Sequence, residues 1–378
     1  MPIPALTAEG CSDRRSRLAQ LFDGDLIIIS NPRNLYYYAG FLPPFPSLAQ
    51  WGPAYLLLEV NEGETTLLCH NFAEAAAEKS YTDTMEIWGW YDGIKNPDQE
   101  IFSQGARILG ELIRSRYRSA RIGIESGSFP LIPGLSPEKC SDVSSLIARQ
   151  RRSKYPDELA CIRSVLEAAL AGHQAARREI RAGISEIELF NLICGAVTEA
   201  AGVPAMLIGD IISGPRTLEI SGGPTRRVIE RGDTVILDLS PVVGGYRADY
   251  TSTIIVDAAP DRRQLGLETA LQAALDEGKE KLWPGSRAAD IYWAVKGSME
   301  QHGFGDGFTH HAGHGLGLGH PEAPFFVPHS NEELVRGDVV TLEPGCYEPG
   351  CSGRIEHVFL VTENGPEQLT RHDTRFTL

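Results

Sequence analysis

The chain has 378 residues and a formal net charge of −15, with 35 basic and 50 acidic side chains. Its length exceeds what one hydrophobic core usually spans and predicts two domains. The acidic balance argues against nucleic acid or an anionic membrane as the main partner, because phosphate groups are bound by basic surfaces. We therefore expect a small molecule or a peptide as the ligand.

The amino-terminal segment MPIPALTAEGCSDRR lacks the apolar core of a signal peptide, and the apolar run DLIIIS (25–30) is too short to span a bilayer. The seven cysteines show no paired spacing of a zinc site, and Cys346 and Cys351 could at most close a loop. These features predict a soluble cytoplasmic protein with reduced thiols.

Short apolar runs alternate with helical stretches from about residue 13 to residue 150. DLIIIS and AYLLLEV predict strands, and QEIFSQGARILGELIRSRY predicts a helix. This alternation is typical of an α/β domain, which we place at residues 1–153. We interpret the aromatic stretch NLYYYAGF (34–41) as core and domain interface rather than as a ligand site.

A long helix is predicted to open the second domain, residues 154–378. Pro156 suits the first turn of this helix, and apolar residues recur at helical spacing until Gly183. Ser185 and Glu188 then form a Ser-x-x-Glu capping box at the start of a second helix.

The second domain contains an internal repeat. The segment starting at Gly183 aligns without gaps with the segment starting at Gly285, and RGDTVILDLS (231–240) is matched by RGDVVTLEPG (336–345). The offsets are similar and the order is the same, which predicts a duplicated helix-helix-strand-strand unit. We expect two halves related by a pseudo-two-fold axis.

In the first half, TVILDLSPVVGGYRADYTSTIIV predicts two strands joined at Gly244 and Gly245, a pair that suits a type I′ turn. Residues equidistant from this turn face each other, so Asp249 should oppose Ser240. Asp238 should then be a diagonal neighbour of Asp249 on the same face of the sheet.

The second half places Glu343 and Glu356 on two strands joined by a loop that contains Gly and Pro. Four carboxylates therefore converge if the halves face each other. Each pair at ~4 Å would repel by about 4 kcal/mol at an effective dielectric constant of ~20. Protons, arginines or cations must compensate for this repulsion.

A different kind of ligand lies in FTHHAGHGLGLGHPEAP (308–324), where glycines on both sides of His314 leave the imidazole accessible. Two aspartates, two glutamates and this histidine predict a site for two divalent cations. Such ligands suit Mn²⁺, Co²⁺, Zn²⁺ or Fe²⁺, and the set does not choose among them.

These motifs resemble the pita-bread metallohydrolases, which include Xaa-Pro dipeptidases, aminopeptidase P, methionine aminopeptidases and creatinase. The matching stretches are GDTVILDL, GYRADYTST, GHGLGLGHPEAP, TLEPG and GRIEHVFLVTENG. The resemblance extends through RRSKYPDEL and, more weakly, to an amino-terminal domain like that of creatinase and prolidase. It implies a creatinase-like α/β domain followed by a pseudo-two-fold pita-bread domain, an α+β arrangement of the catalytic part.

The resemblance also implies residue roles, with five metal ligands: Asp238, Asp249, His314, Glu343 and Glu356. Two cations would share a water or hydroxide, lower its pKa toward ~7 and polarise the carbonyl of a short peptide.

Four residues are the expected catalytic group. Glu343 would accept the water proton. Arg354 and His310 would lie outside the metal-ligating side chains and orient them. His320 is the candidate for contact with the substrate carbonyl. Relatives with this amino-terminal domain are commonly homodimers, so we expect a homodimer here.

Two positions depart from the pattern of proline-cleaving relatives. Where these relatives have a substrate-binding histidine, this chain has Ser221 at one position and Pro321 at the other. His320 lies one residue before the second position, and its side chain could reach the substrate carbonyl or point away.

The sequence leaves three function classes open. The first is a peptidase of the Xaa-Pro type, and the second hydrolyses a non-peptide amide or C–N bond, as creatinase and ectoine hydrolase do. The third is a non-enzymatic binding protein on the same scaffold. Retention of all five ligands favours the two enzymes, and Ser221 and Pro321 favour the second class more than is usual in the family.

Overall fold

The computed structural model of the chain describes residues 3–42, 53–90, 92–94, 100–125, 132, 135, 138 and 140–378. The chain divides into two compact units. One unit is Leu6–Arg151, and the other consists of residues 1–5 together with Arg152–Leu378. None of the helices in the described ranges is long and apolar enough to cross a lipid bilayer.

The Leu6–Arg151 unit is a mixed α/β domain, as predicted. Its described strands are β1 Leu26–Ile29, β2 Tyr55–Glu59, β3 Thr65–His70, β4 Thr84–Trp88, β5 Ile122–Ile124 and β6 Cys140–Asp142. They form one sheet in the order β4-β3-β2-β1-β5-β6, with β2 antiparallel to both of its neighbours and the other pairs parallel.

Helices α1 Ala8–Leu21, α2 Pro32–Ala39, α3 Glu74–Ala77, α4 Ile101–Arg116 and α5 Ser144–Arg152 complete this region. The predicted strands and the helix of the 99–117 stretch are confirmed as β1, β2 and α4. The aromatic stretch lies mainly in α2, where Tyr36, Tyr37 and Tyr38 are buried, so its interpretation as core is correct.

The second unit begins with α6 Pro156–Glu179, and Pro156 occupies the first turn, as predicted. The first half continues with α7 Glu186–Ala201, β7 Met206–Ser213, β8 Thr234–Val243, β9 Tyr246–Arg247 and β10 Tyr250–Ile255. Ser185 caps α7 and exchanges hydrogen bonds with Glu188, so the predicted capping box is confirmed.

The second half repeats two helices and then strands. Its elements are α8 Arg262–Lys279, α9 Ala288–Gln301, β11 His314–Gly315, β12 Glu322–Phe325, β13 Val339–Leu342, β14 Gly345–Glu348, β15 Cys351–Arg354, β16 His357–Thr362 and β17 Gly365–Gln368. The sheet order is β10-β8-β7 in the first half, where β9 also pairs with β8, and β12-β11-β13-β16-β17 in the second.

The two halves repeat each other down to single hydrogen bonds. Gly183 N donates to Ile229 O in the first half, and Gly285 N donates to Leu334 O in the second. Both glycines have φ near +90°, which a residue with a side chain rarely adopts. The predicted duplication is therefore visible in the backbone.

Packing separates the two faces of the first-half sheet. Leu237 and Leu239 belong to the core that α6 and α7 cover. Because side chains alternate along a strand, Asp238 between them faces the opposite side. A second core under α8 and α9 includes Val340 and Leu342, so Glu343 likewise comes directly after a strand that packs against its helices.

No disulfide forms among the seven cysteines, all of which lie in the described residues. Cys346 and Cys351 are near each other, since Cys346 Sγ lies 3.8 Å from the Cys351 carbonyl oxygen, but they remain thiols.

Candidate metal and active site

The two aspartates of the first half lie as the turn geometry predicted. Tyr250 pairs with Leu239, and Thr251 pairs with Asp238. Asp249 precedes this ladder by one residue and is therefore diagonal to Asp238 across the strand pair. Asp249 is buried, and Asp238 retains 18 % of its side-chain exposure.

The two glutamates of the second half flank an insertion that the sequence did not indicate. Leu342 pairs with His357, as in a simple hairpin, but β14 and β15 form a separate two-stranded ribbon between them. The expected loop is thus a hairpin. Glu343 lies at its entrance and Glu356 just after its exit, which keeps both carboxylates beside the sheet.

Glu356 joins the two halves. Its backbone N–H donates to the carbonyl of Thr251, and its Oε2 accepts from Thr251 Oγ1 at 2.8 Å. Thr251 lies on β10, two residues after Asp249. This contact brings the carboxylates of both halves together.

His314 lies between the two pairs of acids. Its Nε2 is 3.3 Å from Asp249 Oδ2 and 3.6 Å from Glu343 Oε1. Its Nδ1 donates to the Gly315 carbonyl oxygen at 3.0 Å, so Nε2 is the ring atom that faces the acids. Burial alone would lower the pKa of His314, but the hydrogen bond to Asp249 and the charge of Glu343 raise it to about 9.

The four acids differ in the partners that offset the effect of burial on their pKa. Burial would raise the pKa of Asp249, but hydrogen bonds from His314 and His320 lower it well below its usual range. Burial acts on Glu343 in the same way, and the hydrogen bond and charge of His311 lower its pKa to about 2.

Asp238 and Glu356 accept no hydrogen bond from a histidine of the described residues, although Arg354 pairs with Asp238. Burial and the charge of Asp249 raise the pKa of both groups well above the usual range. Asp238 Oδ1 and Glu356 Oε1 are buried and have no hydrogen-bond partner among the described residues. Two orphaned carboxylate oxygens beside Asp249 are what a cation would satisfy, so these residues fit a metal centre.

The ligand atoms form overlapping sets of three, each within 4.8 Å. The sets are Asp238, Asp249 and Glu356; His314, Glu343 and Glu356; Asp249, His314 and His320; and His310, His311 and Glu343. All five predicted metal ligands are therefore brought together.

Arg354 lies behind the acids, where the sequence placed it. Its Nη2 donates to Asp238 Oδ2 at 2.8 Å, and its Nε donates to Thr251 Oγ1 at 3.1 Å. The guanidinium thus contacts one acid directly and reaches Glu356 through Thr251. Burial would lower the pKa of Arg354, but surrounding acidic groups raise it well above the usual value.

His310 lies one contact farther from the acids. Tyr347 OH accepts from Arg354 Nη1 at 2.9 Å and is hydrogen bonded to His310 Nε2 at the same distance. His310 Nδ1 donates to the His311 carbonyl oxygen. Burial lowers the pKa of His310 to about 4.

His320 points into the site. Its Nε2 donates to Asp249 Oδ2 at 2.6 Å, and its side chain is 22 % exposed. Ser221 is exposed, and its Oγ donates to Asp210 Oδ1 at 2.9 Å. One of the two histidine-lacking positions thus has an imidazole nearby, and the other carries a hydroxyl held by an acid.

Three residues at the site were not found from the sequence: His311, Tyr347 and Asp210. His311 Nε2 contacts Glu343 directly at 3.0 Å, whereas its neighbour His310 does not. The HH pair in FTHHAGHG is a sequence signal for one of the two. Asp210, inside the apolar strand MLIGDIIS, offered a weaker signal as an acid among apolar residues.

Comparison with known proteins gives matches to both parts of the chain. The protein-family model described as Metallopeptidase family M24 matches residues 160–363. The protein-family model described as Creatinase/Prolidase N-terminal domain matches residues 15–153.

Similar proteins match over nearly their whole length. An Xaa-Pro dipeptidase from Pyrococcus furiosus is 28 % identical over 366 residues, covering 95 % of this chain and 98 % of the relative. An uncharacterised peptidase from Staphylococcus epidermidis is 29 % identical over 364 residues, covering 94 % and 97 %.

Solved structures with a similar fold include two prolidases that match almost the whole chain. A prolidase from Pyrococcus horikoshii has a TM-score of 0.80 at 25 % identity, covering 97 % of this chain and 99 % of that one. A prolidase from Pyrococcus furiosus has a TM-score of 0.76 at 26 % identity, covering 95 % and 99 %.

The orphaned oxygen of Glu356 generates a prediction. In protein stripped of metal with EDTA, Glu356→Gln should raise the free energy of unfolding by about 1–3 kcal/mol, because the raised pKa of Glu356 means that folding at neutral pH forces this carboxyl either to take up a proton or to repel Asp249, and a neutral amide has to do neither. Urea unfolding monitored by circular dichroism measures the change. Glu367→Gln, at an exposed position on β17, is the control and should change stability by less than about 0.5 kcal/mol. A Glu356→Gln protein less stable than wild type would contradict the idea that the acids repel each other.

Proposed function

Because the chain belongs to metallopeptidase family M24, we propose that it is a dinuclear hydrolase that cleaves Xaa-Pro bonds in short peptides. The observation that carries the proposal is the convergence of five ligand side chains around two unpartnered carboxylate oxygens. The similar Xaa-Pro dipeptidase and prolidases support the substrate class.

The proposed ligands are the five that the sequence indicated. Asp238, Asp249 and Glu356 would hold one divalent cation, and His314, Glu343 and Glu356 would hold the second. Mn²⁺, Co²⁺, Zn²⁺ and Fe²⁺ are the candidates, with Mn²⁺ the first to test. When bound, such cations activate water and polarise a carbonyl.

The chain itself supplies the remaining roles. Glu343 would accept the water proton, and His311, which donates to its Oε1, would hold the carboxylate in place. His320, partly exposed beside Asp249, would donate to the developing negative charge on the substrate oxygen. Arg354 would orient Asp238, and His310 would orient Arg354 through Tyr347.

A second candidate function is hydrolysis of a small non-peptide amide or C–N bond. Ser221 favours it, because its hydroxyl is bonded to Asp210 at the position where proline-cleaving relatives carry a histidine. The metal centre would be the same in both functions.

The wider assignments are also proposals. We propose a functional division into residues 1–153 and 154–378, a homodimeric assembly, and a cytoplasmic location with no nucleic acid or membrane partner. The cytoplasmic location is supported by the seven cysteines, which form no disulfide, because thiols persist in a reducing compartment.

The first prediction from this proposal concerns metal content. Purified chain incubated with Mn²⁺, Co²⁺ or Zn²⁺ should hold about two ions per chain after desalting, measured by elemental analysis. Asp249→Asn should lower this content while circular dichroism remains that of wild type, because Asp249 faces both ligand groups. A wild-type chain that takes up no metal would remove the basis of the proposed catalysis.

The second prediction concerns substrate. Wild-type protein should cleave Xaa-Pro dipeptides slowly and only with metal, and Ser221→His should increase the rate by up to about a hundredfold, which corresponds to ~3 kcal/mol from one added hydrogen bond to the oxyanion. Ser16→His, on exposed α1 of the other unit, is the control and should have no effect.

Two outcomes would change the substrate assignment. Ordinary prolidase rates in the wild type would show that His320 already supplies the missing donor. Inactivity of both proteins with metal bound would instead favour the small-amide hydrolase, which a panel of non-peptide amides would then test.

The third prediction concerns assembly. Light scattering at micromolar concentration should give twice the chain mass of 41.3 kDa. A mass of one chain throughout the concentration range would contradict the homodimer.

A further inference from the structure

Asp210 is an acid at the site for which neither the family ligands nor the proposed reaction provides a role. It lies on β7 directly opposite Asp238 on β8, so both side chains are on the same face of the sheet. Gly209 permits the two strands to approach here, because a Cβ at this position would lie 1.9 Å from the carbonyl oxygen of Asp238. The sheet therefore places a fifth carboxylate beside the four already described.

Asp210 shares one guanidinium with Asp238. Arg354 Nη2 donates to Asp210 Oδ2 at 3.0 Å and to Asp238 Oδ2 at 2.8 Å. The side chain of Arg354 is only 5 % exposed, so its positive charge requires a counter-ion within the protein. A cation bound by Asp238 would draw on the charge of that carboxylate, whereas Asp210 would remain as the counter-ion of Arg354.

The other oxygen of Asp210 holds the segment at the rim of the site. Asp210 Oδ1 accepts from Ser221 Oγ and from Gly222 N, both at 2.9 Å. Arg354 Nη1 donates to the Ile220 carbonyl oxygen at 3.0 Å. Ile220 has φ +64°, a strained conformation for a β-branched residue that persists only when its surroundings fix it.

We propose that Asp210 is a positioning residue that sets the metal affinity of the site through Arg354 and fixes the Ile220–Gly222 segment where substrate enters. This inference rests on the proposed metal-dependent function. Without the charge of Asp210, Arg354 would pair more strongly with Asp238 and compete with a cation for that carboxylate. The rim segment would lose two of the hydrogen bonds that hold it.

Metal binding measures the first part of this role independently of activity. Mn²⁺ titrated calorimetrically into EDTA-treated protein should bind Asp210→Asn about tenfold more weakly than wild type. Ser221→Ala leaves the contact between Asp210 and Arg354 in place and should bind Mn²⁺ within twofold of the wild-type affinity. Asp276→Asn, at an exposed position on α8, is the matched surface control.

A double-mutant cycle separates action through Arg354 from a direct effect of the charge. In an Arg354→Met background, Asp210→Asn should change the Mn²⁺ dissociation constant by less than twofold, because the shared positive charge is gone. An equal tenfold loss in both backgrounds would overturn the route through Arg354. Thermal unfolding of each metal-free variant shows that the compared proteins are folded.

The rim role has its own readout. Ser221→Ala should raise KM for an Xaa-Pro dipeptide while kcat stays near the wild-type value, and Asp210→Asn should raise KM at least as much at saturating Mn²⁺. Unchanged Mn²⁺ binding and unchanged KM in a folded Asp210→Asn protein would overturn the inference while leaving the proposed function intact. A wild-type chain that binds no Mn²⁺ would overturn both.

Discussion

Mutual repulsion among buried carboxylates is the constraint on which this catalytic unit depends. Asp249, Glu343 and Glu356 each have an oxygen within 4.8 Å of His314, and Asp238 lies as close to Asp249 and Glu356. Two of the four acids keep an oxygen that no described residue satisfies. Such a cluster is costly in a protein interior, because each charge loses its hydration and repels its neighbours. The surrounding structure must therefore hold these side chains together against their own electrostatics.

The duplicated architecture supplies that rigidity. Each half contributes two acids from paired strands whose opposite faces pack on two helices, so the position of every carboxylate is fixed by a hydrophobic core. The halves are then joined by hydrogen bonds between Thr251 and Glu356. Arg354, at the end of the inserted β14–β15 ribbon, places a buried positive charge between the halves. The fold thus holds together, at a cost in stability, a cluster of side chains that favours cation binding.

The polar groups around the acids differ in whether they contact an acid directly. His311 and His320 contact Glu343 and Asp249 directly and remain partly exposed, which suits groups that meet substrate. His310 and Tyr347 are half-buried, and their hydrogen bonds run to each other, to Arg354 and to the His311 carbonyl oxygen rather than to an acid. Asp210 and Ser221 form an acid–hydroxyl pair at the rim. We propose that substrate preference depends on this rim, because Ser221 lies where the resemblance to proline-cleaving relatives leads us to expect a histidine.

The sequence by itself determined the features that arise from local geometry and repetition. The Gly244–Gly245 turn fixed the register that places Asp249 diagonal to Asp238, because residues equidistant from a two-residue turn must pair. The repeat of the Gly183 and Asp238 segments predicted two equivalent halves, and all five predicted ligands converge. Tertiary structure alone decided the direction of side chains and the contacts between distant segments. Adjacent histidines in a loop point in different directions, so only packing selects His311 rather than His310 for Glu343. The contact of Asp210 with Arg354 spans 144 residues and depends on how the halves dock, which no local pattern encodes.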